Sequence, residues 1–202
     1  MTPLYVLSRL RRRARIRIAA PLVMAGLVTV LVSACGDDPF AIRWELQADT
    51  VFLYSLARPE LNLNAGYNFR PGGTGTVRIE AASSTGQWDV ALDTRGGKLV
   101  FLPPGALGVT SRARITALPG MARADVVEAP EDTLVYSADQ PFEVELGTIY
   151  VVRTDRVLGA FGSRCVYYAR VEPLIIDVAG GTLTFVYDSS PVCNSRVLIP
   201  PD

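Results

Sequence analysis

Histidine is absent from all 202 residues. The commonest general base and the commonest metal ligand are thereby excluded, and with them every Ser-His-Asp or Cys-His arrangement. Catalysis could run only on carboxylates, on a thiol, or on a Ser-Lys pair using Lys98, the single lysine of the chain. Helical periodicity is almost absent beyond residue 35, which argues against helix bundles and alternating α/β folds. No internal repeat emerges, so neither a propeller nor a solenoid is expected. Long apolar runs are missing too. Residues 18–32 form a run of 15, short of the ~20 that span a bilayer.

That run has a specific setting. Six arginines (Arg9, Arg11, Arg12, Arg13, Arg15, Arg17) precede it, and it ends in Val32-Ser33-Ala34-Cys35. A basic stretch, a short apolar stretch and small residues before a cut make a secretory signal. The last four residues resemble the lipobox of bacterial lipoproteins: an aliphatic residue, a tolerant position, a small residue, then cysteine. The resemblance covers residues 1–35 only. It implies diacylglyceryl transfer to Cys35, cleavage after Ala34 and a mature chain held at the membrane by its lipid. Two or more acyl chains anchor stably without a further membrane segment. Gly36 stands where an aspartate would signal inner-membrane retention in some bacteria, so the resemblance favours the outer membrane. The expected organisation is a signal peptide over 1–34, a lipidated tether over 35–40 and a β domain over 41–202.

Removing the signal changes the charge balance. The 20 basic and 20 acidic residues cancel in the whole chain, but six of the basic ones lie in the signal. The mature part carries 14 against 20, a net charge near −6. An acidic domain with no basic cluster in its sequence is not expected to bind nucleic acid. It is not expected to dock electrostatically on anionic lipid either. Two cysteines remain once Cys35 is lipidated, and in an exported chain Cys165 and Cys193 read as a disulfide. They do not form a C-x-x-C motif, which disfavours a redox role.

The mature part alternates apolar and polar residues in short runs. Such alternation marks half-buried strands. It appears at Ile42-Trp44-Leu46, Val77-Ile79-Ala81, Trp88-Val90-Leu92, Ala113-Ile115-Ala117 and Phe142-Val144-Leu146. Residues 50–56 are more continuously apolar and read as a central strand. Residues 99–102, 122–128 and 148–154 read as further strands. Arg95-Gly96-Gly97-Lys98 is a hairpin turn. Pairing 166–178 with 181–187 so that partners sum to 358 puts Val171, Pro173 and Ile175 opposite Tyr187, Phe185 and Leu183. The same register puts Arg170 opposite Asp188 on the other face, and Cys165 opposite Cys193. The expected fold is all-β, a single antiparallel sandwich or barrel-like domain of about nine or ten strands.

No motif forces a catalytic, cofactor or metal site. Pro71-Gly72-Gly73-Thr74-Gly75 lacks the helix that a phosphate loop needs. Glu128, Glu131 and Asp132 offer carboxylates for calcium, but without EF-hand spacing they read as a solvated loop. Glu143 and Glu145 share one strand face and read as solvent-facing. The favoured function is a non-catalytic binding or structural module of the cell envelope, with a protein, glycan or other envelope component as partner. Loops 57–75 and 156–164 would supply contacts, with Tyr67, Phe69 and Phe161 as candidates. An accessory subunit of an envelope complex fits equally. The alternative is a carboxylate-based, glycan-acting hydrolase.

Overall fold

In the computed structural model of this protein, residues 42, 44–46, 48–159 and 162–200 are described. The expected signal over 1–34, the expected tether over 35–40 with Cys35, and Phe161 lie outside them. The chain divides at Ile42/Arg43, and every described strand belongs to the second unit, Arg43–Asp202.

Two five-stranded antiparallel sheets make up that unit. The first runs, in spatial order, β1 (Asp49–Tyr54), β12 (Thr182–Ser189), β11 (Tyr168–Asp177), β8 (Thr148–Arg153) and β6 (Arg114–Pro119). The second runs β3 (Gly75–Val77), β2 (Gly66–Asn68), β4 (Val90–Arg95), β5 (Lys98–Leu102) and β7 (Phe142–Glu143). A small ribbon pairs β9 (Val157–Leu158) with β10 (Arg164–Cys165). The fold is all-β, with no α-helix and no closed barrel among the described residues.

The alternation explains the packing. Every second residue of both sheets enters one shared apolar core: Val51 and Leu53, Val90 and Leu92, Leu99 and Phe101, Tyr150 and Val152, Leu183 and Phe185. Burial of such side chains stabilises by about 1.5–3 kcal/mol each. The two outer faces are covered as well. Val126, Ala129, Tyr136 and Leu198 cap the first sheet over Ile149 and Val151. Trp88, Val77 and Val100 form a cluster with Ala91 and Leu102 on the outside of the second.

The expected hairpins form. Arg95 pairs with Lys98 across Gly96 and Gly97, whose φ values of 58° and 76° are the left-handed pair that a tight hairpin turn requires. The β11–β12 register follows the sum of 358 from Ala169↔Ser189 to Pro173↔Phe185. It then shifts by one residue at a bulge between Pro173 and Ile175. Ile176, not Ile175, therefore faces Leu183, and Ile175 stands 62% exposed. Proline has no N–H to give to a ladder, so pairing changes there. Cys165 and Cys193 are joined, with Cα atoms 5.0 Å apart. Beside them Val166 and Asn194 exchange hydrogen bonds.

Several expectations fail. Residues 44–46 form no strand, and Leu46 is 41% exposed, because alternation without a paired neighbour fixes nothing. Residues 50–56 do not make a central strand. Their strand, β1, sits at a sheet edge and leaves Phe52 exposed. In place of a strand over 122–128 there is one 3₁₀ turn, Arg123–Asp125. Tyr67 and Phe69 are buried core side chains against Phe185 and Tyr187, and they reach the surface only as part of a cleft lining.

Candidate functional site

A cleft of about 630 Å³ opens beside the end of the shared core. Three separated segments line it: Trp44, Glu45, Ala48 and Asp49 up to the start of β1, residues 67–73 with Gly75 through β2 and its turn, and Tyr187, Ser189 and Pro191 at and beyond the end of β12. At its base, the Tyr67 hydroxyl donates to the Tyr187 hydroxyl at 2.7 Å. The Tyr187 proton is then free to be donated into the cleft. Burial, and secondarily the bond to Tyr187, raises the Tyr67 phenol far above its usual 10.0, so it stays protonated.

One carboxylate holds the cleft wall. Asp89 is fully buried. Its Oδ2 accepts from the Phe69 N–H at 2.9 Å and its Oδ1 from the Asp155 N–H at 3.1 Å, while its own N–H donates to the Tyr67 carbonyl. The guanidinium of Arg70 lies 3.9 Å from Oδ1. Burial pushes the Asp89 carboxyl upward, while Arg70 and the two N–H donors pull it down. Arg70 itself lines the cleft, and its Nε is buried without a partner. The turn beyond is tight. The Asn68 side chain accepts from the Arg70 N–H and donates to the Gln87 carbonyl. A Cβ on Gly73 would meet Asn68 Oδ1 at 2.8 Å and the Arg70 carbonyl at 2.9 Å. The glycine-rich turn therefore shapes a wall.

The arrangement presents a phenol donor, a guanidinium with an unused N–H, the Ser189 side chain and the half-buried Trp44 around one concavity. A small number of fixed polar groups in a concave site is the pattern of ligand recognition. Glu45 and Asp49 lie exposed on the same lining, and Asp49 accepts from the Thr50 N–H at 2.8 Å.

The acids that the sequence singles out lie elsewhere. Glu143 pairs with Lys98 at 2.6 Å, which occupies the one lysine a Ser-Lys pair could use. The backbone around Glu143 and Glu145 is pinned by Tyr150, whose hydroxyl donates to the Glu143 carbonyl and accepts from the Glu145 N–H. Burial pushes that phenol up to about 12. Glu128 and Glu131 both pair with Arg196, and Asp132 accepts from the Leu134 N–H. The acidic loop is thus tied to its own surroundings, and no group of three or more metal-ligating side chains occurs among the described residues.

Sequence reasoning did not find the cleft. Its signals were weak and dispersed: an aspartate beside a strand tryptophan, an arginine after an aromatic pair, and a tyrosine where β12 ends. Comparison of the chain with family models, with curated proteins and with solved structures finds no match.

Proposed function

We propose that the chain is an exported, lipid-anchored and non-catalytic β module of the cell envelope that holds a glycan in the cleft of Tyr187, Arg70 and Trp44. The lipid attaches at Cys35 and the outer membrane is the favoured site. Support for the anchor comes from the basic stretch, the short apolar run and Val32-Ser33-Ala34-Cys35. Support for the binding role comes chiefly from one observation: Arg70 is held at the cleft by buried Asp89, with its Nε left unpartnered. The guanidinium is about a fifth exposed at the cleft and makes no side-chain hydrogen bond among the described residues, so its accessible N–H groups are available to a ligand oxygen. Closely spaced hydroxyls suit the Tyr187 donor, Arg70 and Ser189, and the face of Trp44 suits a flat sugar ring.

The membrane half is tested by Cys35→Ser, which should abolish labelling by an alkyne fatty acid and release the protein from membranes. Unchanged labelling rejects it. The binding half is tested by titrating detergent-solubilised protein with envelope oligosaccharides and following tryptophan fluorescence. A saturable change that Arg70→Gln abolishes supports it, and no change with any oligosaccharide rejects it.

A hydrolase remains the second reading, because Glu45 and Asp49 both line the cleft. Both are exposed, without the burial that tunes a glycosidase acid. Release of shortened oligosaccharides by the wild type, and not by Glu45→Gln or Asp49→Asn, would decide for it.

A further inference from the structure

The outer face of the first sheet carries arginines that nothing neutralises. Arg114 on β6 and Arg153 on β8 are direct cross-strand partners. Paired residues project from the same face, about 5 Å apart at Cβ, and like charges so placed repel. Arg112, two residues before Arg114, joins them, since the Arg153 side chain donates to the Arg112 carbonyl at 3.2 Å. Together with Thr133 and buried Tyr136 these three line a pocket of about 310 Å³.

Three features separate this group from ordinary surface arginines. None of the three guanidinium groups makes an ion pair among the described residues, although acidic residues outnumber basic ones in the mature chain. Arg153 Nε is buried with no hydrogen-bond acceptor. Asp155 and Asp132 each accept from backbone N–H groups through Oδ1, from Arg112 and Arg156 and from Leu134, and neither forms an ion pair with the three guanidiniums. The scaffold is also fixed, because Ser137 and Ile115 exchange backbone hydrogen bonds and hold the Tyr136 segment beside β6.

The geometry points to a binding site for a tetrahedral oxyanion, a phosphate monoester group, between Arg112, Arg114 and Arg153. A planar guanidinium offers paired N–H donors that match such oxygens, and two or three converging guanidiniums neutralise a doubly charged group. The anion would meet the accessible N–H groups of the guanidiniums and remove the cross-strand repulsion. The site is separate from the cleft of Arg70 and does not depend on it.

The test uses the full lipidated protein in uncharged detergent. Inorganic phosphate, a hexose phosphate and dihexanoyl phosphatidate are titrated separately, with chloride at matched ionic strength as the reference. A ligand that binds only the folded state raises the melting temperature with its concentration. The site predicts a saturable rise with at least one phosphate probe and none with chloride. The probe that binds most tightly names the source of the group: free anion, phosphorylated glycan or lipid headgroup. Arg153→Gln and the exposed Arg112→Gln should each weaken that binding at least tenfold, while Arg58→Gln, at an arginine that pairs with Glu60 and does not line this pocket, leaves it unchanged. Arg112→Gln keeps the test decisive if Arg153→Gln does not fold. Equal rises with chloride, no rise with any probe, or full binding retained in Arg112→Gln would overturn the assignment.

Discussion

Two buried carboxylates, Asp89 and Asp188, meet arginines in this molecule and serve different ends. Asp188 lies beneath the segment that caps the first sheet. Its Oδ2 accepts from Arg170 Nε at 2.9 Å and from Arg123 Nε at 2.8 Å, and Arg170 donates onward to the carbonyls of Arg123 and Val126. Asp188 and Arg170 are almost wholly buried, Arg123 is about a fifth exposed, and all the donors converge on Asp188 Oδ2 while Oδ1 has no partner among the described residues, so the role of the cluster is to tie the cap to the sheet. Asp89 spends its oxygens on two backbone N–H groups and leaves Arg70 at 3.9 Å, facing the cleft. One carboxylate consumes its arginines, whereas the other positions one and leaves it available. An arginine saturated by partners stabilises the fold, and an arginine held but unsaturated offers a ligand something to complete.

The largest expected effect breaks the Asp188 cluster. Asp188→Asn leaves two guanidiniums without their carboxylate and should cost about 3–5 kcal/mol. The expected melting-temperature loss is about 10 °C or more for a domain of this size. A loss under 2 °C would mean that the cap is held by its apolar contacts alone. Next comes the disulfide. Cys165→Ser and Cys193→Ser should be equally damaging, by about 3.5 kcal/mol in the chain-entropy account for residues 28 apart. Reductant that leaves the melting temperature unchanged would show the staple to be idle.

Asp89→Asn should cost less, about 1–3 kcal/mol, because an amide retains one acceptor for the two N–H donors. This site also has a pH signature. Burial raises the Asp89 carboxyl above 3.8, so the native state keeps a proton that the unfolded chain has released. The contribution of Asp89 to stability is then greatest below 3.8 and falls as pH rises through the raised value. Subtracting the Asp89→Asn melting curve from that of the wild type isolates this slope, and a rise with pH in the same window would reverse the sign argued here.

Much of the fold was legible because period-two alternation and the Gly96-Gly97 turn are local. The β11–β12 register was legible as far as Pro173, and so was the meeting of Cys165 with Cys193. What covers an outer face is not local. Arg170 and Asp188 alternate with apolar residues as a solvent-facing pair would, and only the fold shows that residues 120–136 close over them. The same limit hid both arginine sites. Arg112 and Arg114 alternate visibly where the chain enters β6, but Arg153 joins them only through strand pairing. Trp44, Arg70 and Tyr187 reach one cleft from segments far apart in the chain. The alternation at 42–46 misled for the opposite reason, since a local pattern cannot create the neighbour it needs.

The smallest effect on stability should be that of Arg70→Gln, about 1 kcal/mol, since Asp89 loses a countercharge 3.9 Å away but keeps its two backbone N–H donors. That variant carries the most direct test of the account. Trp44 lines the cleft and Trp88 is buried, so acrylamide quenching reports mainly on Trp44. With an envelope oligosaccharide at saturation, quenching of wild-type protein should fall, quenching of Arg70→Gln should not change, and without ligand both should melt within about 4 °C of each other. Protection that persists in Arg70→Gln, or an Arg70→Gln protein as unstable as Asp188→Asn, would contradict the claim that this arginine is kept for a ligand.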